Sequence, residues 1–287
     1  MEFEEIRQRI DDMLITMFVA PKAKVAYVPV TKAGSTSMLR ILAEMEGHDT
    51  TRYLAQPEMI HHHDTYPLPK LTSLPDDLQR EVLMSDEWIR LSVTRDPFKR
   101  FYSAWEDKIF IGRPGWDHFS PPPFVEFKGG IDIGASFRRF VADFDQRREL
   151  WMSDPHFVTQ VTLSRPSIIP YTDTISTSEY PNFIERLSER SGVRLHNHRS
   201  NEGLNLPSER FWDDESVAII LDAYAEDFVY TGSPAQRPTK KTARIVLDPL
   251  GTRLHALTAE RHRIAADTSW DLRVRYGEMP AEPRERG

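Results

Sequence analysis

The sequence predicts an α/β fold in three layers, with a central, mainly parallel sheet flanked by helices. Two observations carry this. A β-branched run at 25–30 (VAYVPV) passes through a tight polar turn into Met38, Leu39, Ile41 and Leu42 at helical spacing. A second run at 87–94 (EWIRLSVT) turns at Arg95-Asp96-Pro97 into Phe98, Phe101, Tyr102 and Trp105. Strands alternating with helices build open α/β sheets. The length of 287 residues, 39% hydrophobic and 10% aromatic, suffices for one large domain or two small ones.

Taken in order, residues 2–16 read as a short amphipathic helix leading into the first strand, 25–30. The helix that opens at Ser35 runs to about Met45 and stops at Gly47. A polar, proline-containing segment follows, with His61, His62 and His63 in succession, then a helix near 75–84. After the strand at 87–94, Pro97 suits a first helical turn, where its missing N–H costs nothing. The aromatics Phe98, Phe101, Tyr102 and Trp105 fit the buried face of that helix better than a base-stacking platform. Residues 112–134, rich in Pro and Gly, read as a long ordered loop of the kind that forms lids. Further expectations are a helix at 136–145, a strand at 167–171 (SIIPY), a helix at 178–191, and a helix within 206–230 presenting Val217, Ile220, Leu221 and Tyr224 on one face. Residues 1–234 are thus read as one domain, and 235–287 as a basic, polar C-terminal extension with at most two helices.

Composition narrows the function. The formal net charge is -7, from 44 acidic and 37 basic residues, whereas a protein gripping a nucleic-acid backbone shows the opposite bias. Any anion site is therefore a local basic pocket. With no cysteine, disulfides, thiolate catalysis and cysteine-based zinc sites are excluded, in keeping with a reducing cytoplasm. No stretch approaches the roughly twenty apolar residues of a membrane span, and the N-terminus lacks a leader pattern. A soluble, cytoplasmic protein without nucleic-acid or membrane partners is expected.

The turn at 31–37 (TKAGSTS) carries the chemistry. Gly34 lets the backbone approach a ligand, Ser35, Thr36 and Ser37 offer hydroxyls, Lys32 adds a charge, and the helix N-terminus behind them suits an anion. An ordinary helix start after a core strand has much the same look. It is not the standard G-x-x-x-x-G-K-[ST] loop, because Lys32 precedes the only glycine. A phosphate-like anion is implied, not necessarily ATP with magnesium.

The pairing of this turn with the one after the second strand is what makes the chain recognisable. It resembles the PAPS-dependent sulfotransferases, in the family-2-like branch that sulfates carbohydrate hydroxyls. VPVTKAGSTSMLRIL corresponds to that family's P-K-x-x-x-[ST] signature, and VTRDPFKRFYSAWEDKI to its R-D-P-F-x-R-x-x-S-A-[YW]-x-x-K signature. DPHFVTQ with the later IIPYTDTISTSEYPNFIERL, and AYAEDFVYTG, are weaker echoes, so the likeness covers roughly 25–232. Thr94 is a mild departure, the animal members' anchor and disulfides have no counterpart here, and the tail after Pro234 resembles nothing in the family.

The resemblance implies a P-loop NTPase-like fold and an enzyme that moves a sulfuryl group from PAPS to a hydroxyl of a carbohydrate or glycosylated metabolite, releasing PAP without a metal. Lys32 would stabilise the leaving oxygen. Ala33, Gly34, Ser35, Thr36 and Ser37 would hold the 5′-phosphosulfate, and Arg95 and Ser103 the 3′-phosphate. The family places its base, a histidine or glutamate, between the two signatures, a window that here contains His61, His62 and His63; His62 and His63 are taken as the base on their centrality in the run alone. His61 and His156 are assigned to the acceptor, a small molecule or glycan. Structural alternatives stand beside these roles: a pair of Arg95 with Asp96 or Glu106, a solvated helix face for Arg100 and Lys108, a polar loop for the histidine run, and core packing for His156. Two rival functions are a small-molecule kinase, with Asp96 as its metal ligand, and a non-catalytic nucleotide-binding protein.

Overall fold

The computed structural model describes residues 1–51, 53, 60, 66–112, 120–196, 203, 204, 206–236 and 244–275, with side chains to residue 264. In chain order the principal elements are α1 (Phe3–Asp12), β1 (Phe18–Ala20), β2 (Val25–Val28), α2 (Ser35–Met45), α3 (Asp76–Met84), β3 (Ile89–Thr94) and α4 (Pro97–Ala104). A π-helical turn (Trp105–Phe110) leads to β4 (Glu126–Phe127), β5 (Gly130–Asp132), α5 (Ile133–Gln146), α6 (Arg148–Met152) and α7 (Gln160–Ser164). Then come β6 (Asp173–Ser176), α8 (Tyr180–Ser191), α9 (Asp214–Ala223), α10 (Ala225–Thr231), β7 (Val246–Leu247) and α11 (Pro249–Arg275). Two compact units emerge: Met1–Phe101 with Glu149–Asn205 and Ile220–Gln236, and Tyr102–Arg148 with Leu206–Ile219 and Arg237–Gly287.

The first unit holds a four-stranded sheet in the order β1-β2-β3-β6. β2, β3 and β6 are parallel, with Val25 opposite Ile89 and Leu91 opposite Asp173, while β1 runs antiparallel on the edge. Side-chain alternation sorts the core into two faces. Val25, Tyr27, Leu91, Val93 and Ile175 pack with Met38, Leu39 and Leu42 of α2 and Phe183, Ile184 and Leu187 of α8. Val19, Ala26 and Val28 pack with Ile6 and Ile10 of α1 and Val82 and Leu83 of α3. Burial on both faces explains why β2 reads as a continuous apolar run. This is the three-layer α/β arrangement the sequence predicts.

Local details differ from expectation. Residues 18–20 form an extra edge strand, too short for a period-2 pattern to show. The last parallel strand is Asp173–Ser176, not 167–171. Pro166 and Pro170 cannot donate to a ladder, and Ile168 and Ile169 are instead buried in the cluster around α1 and α3. Within α4, Phe98 packs on Phe228, and Phe101 on Phe157 and Tyr224, as the buried-face reading requires.

In the second unit β4, β5 and β7 form a small antiparallel sheet. The span 112–134 is therefore not loop throughout, since 126–132 is a hairpin closed by Lys128 and Gly129 at φ 51° and 75°. Gly130 is obligatory: a methyl group there would lie 2.1 Å from the Leu247 carbonyl oxygen. Trp105, Phe137 and Trp212 are the buried aromatic centre, with Phe137 edge-on to both indoles. Among the described residues no helix is long and apolar enough to cross a membrane.

Candidate active site

The turn between β2 and α2 is strained and held. Lys32 sits at φ 63° and Gly34 at φ 81°, and a left-handed conformation costs a side-chain-bearing residue about 1–2 kcal/mol. The Ala33 N–H closes the turn on the Val30 carbonyl at 3.2 Å. Gly34 is the N-cap of α2, with no side-chain cap and no acidic residue in the first turn. Those helix-start N–H groups, with the helix dipole behind them, are the chemistry an anion selects. Ser35 and Ser37 are buried and Thr36 is half-buried. Tyr180 of α8 bounds the turn: a methyl group on Gly34 would lie 3.6 Å from its Cε2.

What fixes the turn comes from the end of β3 and the start of α4. Arg95 Nη1 donates to the Lys32 carbonyl at 3.1 Å. Arg100 Nε donates to the Thr31 carbonyl at 2.9 Å, and its Nη2 to Thr31 Oγ1 at 3.2 Å. The same guanidinium reaches the carbonyls of Val158 at 2.7 Å and Pro155 at 3.2 Å, and Thr31 Oγ1 donates to Pro155 as well. Arg100 is 1% exposed, so it is not on a solvated face. Burial pulls its pKa down, opposed by the neighbouring Tyr224 and Asp227.

A second layer sets Arg95. The buried Gln160 side chain brackets its peptide: Oε1 accepts from the Arg95 N–H and Nε2 donates to its carbonyl, both at 2.8 Å. Gln160 and Val161 in turn donate their own N–H groups to Asp227 at 2.9 and 3.1 Å. Burial holds the Asp227 carboxyl above the ordinary aspartate range, against those amides and the charge of Arg100. Asp96 Oδ1 accepts from the Lys99 N–H at 2.9 Å, capping α4. The carboxylate on which a metal-dependent kinase reading rests is thus part of a helix cap.

His156 is neither core nor fully open. Its Nδ1 lies 2.9 Å from Asp154 Oδ1, which also accepts the His156 N–H at 2.7 Å. That carboxylate fixes the ring orientation, and the adjoining Pro155 ties the segment to the Lys32 turn. Ser103 lies half-buried on the last turn of α4, in the second unit. Lys108, in the π-helical turn, is 3.7 Å from the Asp107 carboxylate and largely buried, which removes the solvated-face alternative. His61, His62 and His63 lie outside the described residues. Among the described residues no group of three or more His, Asp or Glu side chains is placed to hold a metal.

The structure therefore ties the Lys32 turn, through Arg95 and through Thr31 and Arg100, to the segment in which Asp154 orients His156. Thr31, Gln160 and Asp227 join the site beyond the residues that the sequence singles out. The DPHFVTQ and EDF runs were the signals that contained two of them.

Comparison with known proteins agrees with this geometry. Residues 16–230 match the model described as the sulfotransferase family, a span that includes both turns. Similar curated proteins are carbohydrate sulfotransferase 10 of Xenopus laevis, 28% identical over 173 residues (55% of this chain, 48% of that protein), and of Homo sapiens, 27% over 177 residues (56% and 48%). The Danio rerio protein of that name is 29% identical over 175 residues (55% and 47%). The chain spans about half the length of the curated relatives it matches. No solved structure matches. On the family match over most of its length, the chain belongs to the sulfotransferase family.

Proposed function

We propose that this chain transfers the sulfuryl group of PAPS to a hydroxyl of a carbohydrate or glycosylated metabolite and releases PAP. The observation that carries the reading is the Arg95–Lys32 hydrogen bond of 3.1 Å, which joins the two signature turns in one site. The start of α2 suits an anion, and the left-handed Lys32 is pinned through its carbonyl while its ammonium supplies positive charge. An ammonium beside a developing anion stabilises most in a desolvated site.

PAPS supplies the activated sulfuryl group. Sulfur bonds to the acceptor oxygen as its bond to the phosphate oxygen breaks, and the acceptor proton passes to a base. Residues 33–37 would hold the 5′ end, Arg95 and Ser103 the 3′-phosphate, and Lys32 the leaving oxygen. His62 or His63 would take the proton. His156, oriented by Asp154, would with His61 bind the acceptor. A glycan acceptor is favoured because the similar curated proteins are named carbohydrate sulfotransferases.

Calorimetric titration of PAP, repeated with Mg·ATP as competitor, tests this reading. Tight binding indifferent to magnesium and unmatched by ATP is expected. Preference for Mg·ATP would transfer the site to the kinase reading.

A further inference from the structure

α11 is amphipathic in the wrong sense for a helix that merely covers its own unit. The face it lays on that unit is small and polar. Gly251 abuts Leu247, and the Thr252 hydroxyl donates to the Leu247 carbonyl at 3.2 Å. The His255 ring packs on Phe110 and Phe124 with centroids 4.6 and 5.5 Å apart, and Ala259 meets Gly112. The large aliphatics point the other way: Leu250, Leu254 and Leu257 are 77%, 64% and 60% exposed. Such a stripe on a soluble surface marks an interaction face.

Two features specify what covers it. The leucines are spaced four and three residues apart, the repeat of a two-helix seam. The residues beside that seam are complementary to themselves when the helix is reversed. With Leu254 of one copy on Leu257 of another, a two-fold axis falls between them, and Arg253 of each copy lies beside Glu260 of the other. Glu260 accepts from both Nε and Nη2 of Arg263 on its own helix, at 3.0 and 2.6 Å, so Arg253 of a second copy would share this carboxylate with Arg263.

We infer that α11 is an antiparallel self-association helix, whose leucine face is covered by α11 of a second copy of this chain in an isologous pair. A lipid surface would use the leucines but has no need of an Arg253–Glu260 match at heptad spacing.

Sedimentation velocity of the full chain over a concentration series is the test. A concentration-dependent monomer–dimer equilibrium is expected. Leu254→Glu with Leu257→Glu should shift it to monomer while far-UV circular dichroism and the thermal midpoint of the monomer stay unchanged, since both side chains are exposed. Arg253→Glu should weaken association about tenfold, and adding Glu260→Arg should restore it, which no role confined to one copy would produce. A monomer up to the solubility limit overturns the inference, whether or not it pellets with phosphatidylcholine–phosphatidylserine vesicles. So does a dimer indifferent to the leucine pair, or a charge swap that does not rescue.

Discussion

Replacing Arg100 by methionine removes a charged fork and keeps most of the aliphatic volume. Four hydrogen bonds go with it, to the Thr31 carbonyl, Thr31 Oγ1 and the carbonyls of Val158 and Pro155. Pro155 is exposed, so water can replace the lost donor there. Thr31 and Val158 are half-buried, and each acceptor left without a partner costs about 1–3 kcal/mol. Relief of the desolvation that depresses the Arg100 pKa offsets part of this. The net expectation is a loss of about 2–4 kcal/mol of unfolding free energy. The turn loses more than stability. Lys32 holds a conformation that costs about 1–2 kcal/mol, and Thr31, next to it, would keep only its hydroxyl bond to the Pro155 carbonyl. Relaxation of that order lowers anion affinity about tenfold. Urea unfolding measures the first effect and PAP titration in zero urea the second. Arg100→Lys should recover little of either, because an ammonium cannot match the fork's geometry. A methionine variant with wild-type stability and affinity would refute the idea that the turn is held from α4.

Other outcomes follow from the same geometry. Lys32→Ala should lower turnover by about a hundredfold or more while PAP binding stays measurable; a sulfation assay beside calorimetry decides it, and retained turnover would remove Lys32 from the chemistry. Arg95→Ala should weaken PAP far more than adenosine 5′-phosphosulfate, because only PAP carries the 3′-phosphate, and equal weakening would refute that assignment. Gly34→Ala forces a Cβ into φ 81° and should cost about 1–2 kcal/mol, seen as a lower thermal midpoint. Asp213 is under opposing influences: burial raises its pKa, but hydrogen bonds from Ser216 and the charge of Arg138 outweigh it, and the net shift is downward. Its contribution to stability is therefore present at neutral pH and lost as pH falls through the folded-state value. The stability gap between wild type and Asp213→Ala should narrow in urea titrations taken from neutral pH to about pH 3.

How far the sequence discloses these features depends on how local they are. The β2–turn–α2 unit is legible because a β-branched run, a glycine and an apolar helical stripe all lie within twenty or so residues. β1 is not, because three residues cannot show a period. SIIPY has strand composition, yet its prolines and the pull of Ile168 and Ile169 into the α1–α3 cluster move the ladder downstream. Arg100 shows the limit in the site itself. Its spacing on α4 allows a solvated face, and only the long-range contacts with Thr31 and Val158 reveal a buried clamp. Gln160 and Asp227 lie in the DPHFVTQ and EDF runs, but that one brackets the Arg95 peptide and the other holds the first is a long-range relation that no local pattern carries. The outward leucines of α11 are visible as spacing, but the direction they face is known only from what His255 and Ala259 touch.

The clamped turn also dictates when the protein becomes able to bind. Lys32 is tied to Arg95 across 63 residues, Thr31 to Arg100 across 69, and Thr31 to Pro155 across 124. Contacts so distant in the chain close only after the intervening loops have lost their entropy, which makes them late events in folding. The anion site should therefore be absent from any species in which β2 and α2 have formed but the segment around Pro155 has not docked. Recovery of PAP binding during refolding should lag recovery of helical signal, so ligand binding reports completion of the first unit and not merely its collapse.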